Sequence, residues 1–496
     1  MKVKETLIVV LFCTIFTKCH GAIRFANYYN NHMVLQRAPQ RANIWGFGTA
    51  GVAVSVKIDG LVVSTINVGA DGVWKTLLPA TTAGGPHNVS VTSSDGGAAL
   101  SDVMFGDVWV CSGQSNMEYT LSGISNYTAY IDAAKSLHNI RLFRTNHKAT
   151  DVPQVEPVVN TQWTIPDQHD AHTRVFSAVC LMYALELAPH LQRPLGLVET
   201  NWGGTPVEAW SSPDALAKCP QHKRRAVNAH SPSALWNGMV APLLPMTIYG
   251  AIWYQGEANA GKAHLYACQF RAMIEDWRAK FHAKSHSQTS NQFPFGFVQL
   301  APFRNGSSSL GFSEIRWAQT ANYGYVPNPS LSAVFMAVAM DLPDFESPHG
   351  AIHPRFKEDV AARLALAARA VAYGDSSLDY QGPFPSRLSI SGHTLTIEYD
   401  SGNSAIDVRA NTGFEVCCGS TEAHKCTAAE WKAVSITAHD QTTVTMDTHV
   451  CSGQTHVVAG VRYAWHESPC AFMQCAVYGK DNGLPAPTFV KQAPFN

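Results

Sequence analysis

Val108-Trp109-Val110-Cys111-Ser112-Gly113-Gln114-Ser115-Asn116-Met117 runs from an apolar strand into a turn of small residues. A strand that ends in a tight glycine-containing turn presents one hydroxyl at the carboxyl edge of a sheet, with a backbone N–H nearby to bind an oxyanion. Ser115 holds that position. The turn lacks the G-x-S-x-G pattern of ordinary α/β-hydrolases, because Gln114 precedes the serine and Met117 takes the second glycine's place. Turns of Gly, Ser and Asn mostly just reverse the chain, so the weight falls on three later stretches.

Asn201-Trp202-Gly203-Gly204-Thr205-Pro206 follows the strand-like run 194–200. Paired glycines after a buried strand let the backbone approach a ligand closely and aim an N–H at it. Trp253-Tyr254-Gln255-Gly256-Glu257-Ala258-Asn259 closes the apolar run 247–252 and offers two side-chain amides, Gln255 and Asn259. Residues 349–354 lie beyond the strand-like run 334–341, and His353 opens a helical stretch there, placed to act as a base.

The periodicity divides the chain into parts. Residues 23–102 show short alternating runs separated by Asp-Gly turns, which indicates a small β-sandwich. Residues 103–375 alternate strand-like and amphipathic segments, the pattern of a parallel sheet covered by helices on both faces. The clearest helix spans 357–373, with Pro354 near its start and Gly374 at its end. Period two returns over 376–496, a second β-rich region.

Composition narrows the function classes. Charged residues make up 15% of the 496, the hydrophobic fraction is 46% and the formal net charge is -1. A packed chain with no electrostatic attraction for nucleic acid or anionic membranes follows. Residues 1–22 read as a signal peptide, with Lys2 and Lys4 before an apolar stretch and a small-residue cleavage region near Gly21. No later stretch is long and apolar enough to insert in a membrane, so the expected route is the secretory pathway, to a secreted or lysosomal destination. Of twelve cysteines, Cys13 and Cys19 fall in the leader. Cys417, Cys418, Cys426, Cys451, Cys470 and Cys475 read as disulfides in an oxidising compartment, because no C-x-x-C pair suggests zinc. Cys111, directly after a buried strand, reads as a free core thiol. Sequons at Asn88, Asn126 and Asn305 are candidate glycosylation sites.

The order Ser, Gly, amide, His-Pro, each at the end of a strand, resembles the four blocks of the SGNH hydrolase superfamily. Phe105-Gly106-Asp107-Val108-Trp109, the Ser115 turn, Gly203-Gly204-Thr205-Pro206-Val207-Glu208-Ala209-Trp210, Trp253-Tyr254-Gln255-Gly256-Glu257 and Ile352-His353-Pro354 are more closely similar to the sialate O-acetylesterase family. Asn31-His32-Met33-Val34-Leu35-Gln36 and Arg462-Tyr463-Ala464-Trp465 extend the likeness over the whole mature chain. It implies an α/β fold, a three-layer SGNH-hydrolase domain with a parallel sheet over 103–375, flanked by N-terminal and C-terminal β-rich regions. The implied activity is removal of O-acetyl groups from sialic acids by a serine esterase, without metal or cofactor. Ser115 would be the nucleophile and His353 the base; the oxyanion donors would be the N–H groups of Ser115 and Gly204 and the side chain of Gln255, with Asn259 the substitute.

Many SGNH enzymes carry Asp three residues before the histidine, where this chain has Gly350. Asp344 is the expected third member, with Asp341 the alternative, and a backbone carbonyl such as that of Ala351 would instead make a Ser-His dyad. His349 is the rival base. Trp202 and Trp253 are candidate sugar platforms, and Arg316 a candidate partner for the sialate carboxylate. Glu208 and Glu257 also admit a glycosidase acid and base, while the β-rich flanks and tryptophans suit a non-catalytic lectin. Other O-acetylated glycans such as acetylxylan are the alternative substrates. Oligomeric state is not set by these patterns.

Overall fold

A computed structural model describes residues 22–167, 169–219, 227–453 and 457–495. The expected leader, apart from Ala22, lies outside the described residues. The middle region is built on strands β1 (Gly96–Gly113), β2 (Ile140–Thr145), β3 (Val159–Thr164), β4 (Leu195–Asn201), β5 (Gly250–Tyr254), β6 (Phe295–Gln299) and β7 (Val334–Val338). Their order is β3-β2-β4-β1-β5-β6-β7. All neighbours are parallel except β3, which runs antiparallel to β2 at the edge. Strands β4, β5 and β6 are buried along their whole length, so they read as continuous apolar runs and not as alternating ones.

Helices α1 (Ser115–Glu118), α2 (Tyr127–Leu137), α3 (Ala178–Leu191), α4 (Ala263–Lys284), α5 (Gly311–Gln319) and α6 (Lys357–Val371) accompany the sheet, with short helical turns at Ala171–Arg174 and Pro213–Ala217 between them. Alternation along a strand sends neighbouring side chains to opposite faces. Trp109 meets Tyr183 of α3 and Tyr373 just past α6, with ring centroids 5.3 and 6.4 Å away. Cys111, two residues on and so on the same face, is disulfide-bonded to Cys180 of α3. The expected free thiol is therefore corrected: α3 packs directly over β1 and brings a partner sulfur to it. Trp253 pairs in register with Ser112, on the other face, and meets Phe270 and Trp277 of α4. Helices thus cover both sides of the sheet.

Strand β1 is 18 residues long and continues into the N-terminal β region. Its first half pairs antiparallel with Gly84–Ser93 and its middle pairs parallel with Val34–Gln36. A second sheet of Arg24–Phe25, Asn43–Phe47 and Val73–Leu77 completes the N-terminal layer pair. The expected division at 102/103 falls inside this one strand, and a single apolar core runs through both parts. The C-terminal region carries two four-stranded sheets, with Cys417–Cys426, Cys418–Cys451 and Cys470–Cys475 bonded within it. Its core includes Val338 at the end of β7 and Met340 just beyond it, so it docks on that edge of the central sheet.

Candidate active site

Gly113 at the end of β1 pairs with Asn201 of β4 on one side and Tyr254 of β5 on the other. Three loops therefore leave the sheet at one level, where the chain connections diverge to either side of β1, the crevice in which open α/β sheets bind ligands. Gly113 has a φ of +140°, and a Cβ there would lie 2.2 Å from the Tyr254 carbonyl oxygen. Only glycine allows that approach. From Cys111 to Met117 every residue is buried except Ser115. Ser115 is the first residue of α1, so its N–H has no intrahelical acceptor.

The β4 loop lies against the serine: a Cβ on Gly203 would sit 3.3 Å from the Ser115 Cβ. The Gly203 N–H donates to Glu118 Oε2 at 2.7 Å. Gly204 is exposed, has a φ of +73° with open space around it, and its N–H has no acceptor among the described residues. Ser115 and Gly204 thus each present an N–H without an acceptor among the described residues.

His353 ends a chain of tight turns, Ser347 N to Asp344 O, Gly350 N to Ser347 O, and His353 N to Gly350 O. Its Nδ1 lies 2.8 Å from the His349 carbonyl oxygen. A carbonyl can only accept, so Nδ1 carries the hydrogen and Nε2 keeps its lone pair. Burial, aided by the nearby Lys357 ammonium, lowers the imidazole pKa below its ordinary value against the opposing His349 carbonyl. Asn116, next to Ser115, donates from Nδ2 to the Ile352 carbonyl at 2.9 Å. That bond ties the nucleophile turn to the histidine segment.

Several expected residues are placed elsewhere. Asp344 does not reach the imidazole: it holds the Arg355 guanidinium at 2.7 and 2.8 Å and the Arg355 N–H at 2.9 Å. The guanidinium keeps its carboxyl below the usual range. Asp341 is buried against Arg363 and the Tyr478 hydroxyl. Gln255 is fully buried and gives its amide hydrogens to the Thr205 carbonyl and Asn259 Oδ1. Asn259 in turn donates to Glu208 Oε2. Neither amide is aimed at an incoming oxygen; together they brace the β4 and β5 loops.

Arg316 has no exposure and donates to the carbonyls of Leu300, Ala301, His466 and Glu467. It clamps the C-terminal region onto α5 and cannot read a substrate carboxylate. Trp253 is wholly buried against Trp210, Phe270 and Trp277, so it belongs to the core. Trp202 is partly exposed, but His147 covers one face at 4.3 Å and nearly parallel. Glu208 and Glu257 both bind buried amides. His349 is exposed and serves His353 through its backbone. Asn88, Asn126 and Asn305 are all exposed.

Sequence reasoning missed the residues under the site. Gln114 accepts from the N–H of Ala258 at 3.1 Å, fastening the nucleophile turn to the β5 loop. Glu118 binds Gly203 and His147. Lys357, which the sequence places only as the start of a helix, is buried. A signal existed: a cation as the first residue of a helix opposes the macrodipole.

Residues 105–361 match the family described as carbohydrate esterase, sialic acid-specific acetylesterase, and residues 386–493 match the sialate O-acetylesterase C-terminal domain. The chain is similar to sialate O-acetylesterase of Homo sapiens, 39% identical over 490 residues, covering 94% of this chain and 92% of that one. Against the Mus musculus protein of the same name it is 38% identical over 522 residues, covering 95% and 94%. Its structure is similar to a carbohydrate acetylesterase from Xanthomonas citri, with a TM-score of 0.80 and 31% identity over 95% of this chain and 100% of that one.

Proposed function

The chain belongs to the sialate O-acetylesterase family, and on that premise we propose that it is a serine esterase that removes O-acetyl groups from sialic acids through an acetyl-enzyme. Ser115 Oγ attacks the acetyl carbonyl while His353 Nε2 takes its proton, and the imidazolium then protonates the departing sugar hydroxyl. Water repeats the cycle on the acetyl-serine. Each tetrahedral oxyanion is held by the N–H groups of Ser115 and Gly204; losing one such donor typically costs about 10²–10³ in rate.

The observation that carries this mechanism is the His353 Nδ1 contact with the His349 carbonyl oxygen. It leaves Nε2 as the free base in a segment bonded to the residue after Ser115. The pair works as a dyad, oriented by backbone and not by a carboxylate. Trp202 is the remaining aromatic available to a sugar ring.

We assign residues 103–375 the three-layer SGNH-hydrolase arrangement, supported by the parallel sheet with helices on both faces. Five disulfides support a secretory-pathway protein, secreted or lysosomal, processed after residues 1–22. No helix among the described residues is long and apolar enough to cross a membrane. Likeness to the Xanthomonas carbohydrate acetylesterase favours a second reading, activity on other O-acetylated glycans such as acetylxylan. Acetate release from a panel of O-acetylated sialosides and acetylxylan tests both. Preference for sialosides supports the first; release from acetylxylan alone replaces it, and none from either leaves a lectin.

A further inference from the structure

Lys357, the first residue of α6, has no exposure to solvent. A helix N-terminus disfavours a cation, and a buried ammonium is costly unless its hydrogens are taken up. Here Nζ donates to the Pro354 carbonyl and to Asn116 Oδ1, each at 2.7 Å. It also lies over the rings of Tyr119 and Tyr254, at 4.8 and 5.4 Å. Asn116, itself 1% exposed, donates from Nδ2 to Glu257 Oε1 at 2.6 Å and to the Ile352 carbonyl at 2.9 Å. These partners fix the amide's orientation, since an ammonium only donates and a carbonyl only accepts. Asn116 adjoins Ser115, while Ile352 and Pro354 flank His353.

We propose that Lys357 is a positioning residue for ester hydrolysis: its ammonium, through Asn116 and Pro354, holds the Ser115 turn and the His353 segment in one register, with Glu257 as counter-charge across the amide. The proposal depends on Ser115 and His353 being nucleophile and base. The charge has a second effect. Lys357, and after it the His349 imidazole, stands close enough to disfavour protonation of His353, adding to burial and opposed by the His349 carbonyl. Burial pushes Lys357 itself down to about 7, against the opposing charges of Glu257 and Asp344. The active form has His353 neutral and Lys357 charged, so activity falls on the acid side with one and on the alkaline side with the other.

The test is the pH dependence of kcat and KM, on nitrophenyl acetate and an O-acetylated sialoside, for the wild type, Lys357→Met and Glu257→Gln. Lys357→Met is expected to lower kcat by about tenfold or more with KM within about threefold, and to move the acid limb to higher pH as His353 loses its cationic neighbour. A merely structural lysine would leave that limb in place. Glu257→Gln removes the charge that helps keep Lys357 protonated, so its alkaline limb moves to lower pH; this variant decides if Lys357→Met does not fold. An unmoved acid limb in folded Lys357→Met, a kcat within about threefold of wild type, or an unmoved alkaline limb in Glu257→Gln overturns the proposal. Ser115→Ala and His353→Ala are run beside them. If those retain turnover, the catalytic assignment has failed and the proposal with it; if they are inactive, an unmoved limb condemns the Lys357 role alone.

Discussion

His353 Nδ1 lies 2.8 Å from the carbonyl oxygen of His349, four residues earlier in the same loop. The imidazole is held by the backbone of its own segment, and the expected carboxylate, Asp344, is occupied by Arg355. Tautomer and ring direction then depend on loop geometry. Asp344 contributes by keeping that loop folded.

Asp344→Asn should therefore lower kcat by roughly tenfold or less, a barrier change of about 1.4 kcal/mol, together with some loss of Tm as the Arg355 clamp weakens. A triad aspartate would cost about 10⁴ in kcat, because the wrong tautomer would face the serine. Steady-state rates and a melting curve on the same preparation distinguish the two. A loss of several orders of magnitude with Tm unchanged would restore Asp344 as the third triad member.

The pH profile follows from the environment of His353. Burial disfavours the charged ring, so its folded pKa lies below the ordinary 6.5. The base works only when neutral, and the neutral form persists as pH falls until that lowered value is passed. The acid limb of kcat/KM should lie below pH 6.5; His349→Ala keeps the backbone carbonyl that holds Nδ1 and should retain most of the activity, with the limb moving slightly to higher pH as the charge of the His349 ring is lost. A midpoint above 6.5 would contradict the buried environment described for the ring.

Arg316 gives a test of structure against binding. Arg316→Met leaves the buried carbonyls of Leu300, Ala301 and Glu467, and the part-buried one of His466, without their donor, at a cost of about 3 kcal/mol or more. Thermal unfolding should show that loss, while KM for sialosides on the folded fraction stays within about twofold of wild type. A raised KM with normal Tm would return Arg316 to the substrate site.

The parts of the site legible in the sequence were those whose chemistry is local. Ser115 stands in a turn after an apolar run, Gly203-Gly204 after another, and His353 before a proline and a helix; these signals are set by neighbours in the chain. The periodicity also carried the parallel sheet, because strands buried on both faces read as unbroken apolar runs. What failed was long-range. Trp253 and Arg316 have side chains suited to ligands, and only the packing of α4 and of the C-terminal region shows that both are enclosed. The Cys111–Cys180 bond needs α3 laid over β1. Gln255 is an amide in the expected block, but its hydrogens are taken by residues of two loops that come together only in the fold.

The most direct test of the central claim, that Ser115 is the nucleophile, is acetate release from O-acetylated sialic acid by Ser115→Ala, with Tm measured on the same sample. The account predicts loss of at least about 10⁴ in turnover with Tm close to wild type, since the hydroxyl does the chemistry and contributes little packing. Turnover retained by the folded variant would contradict it.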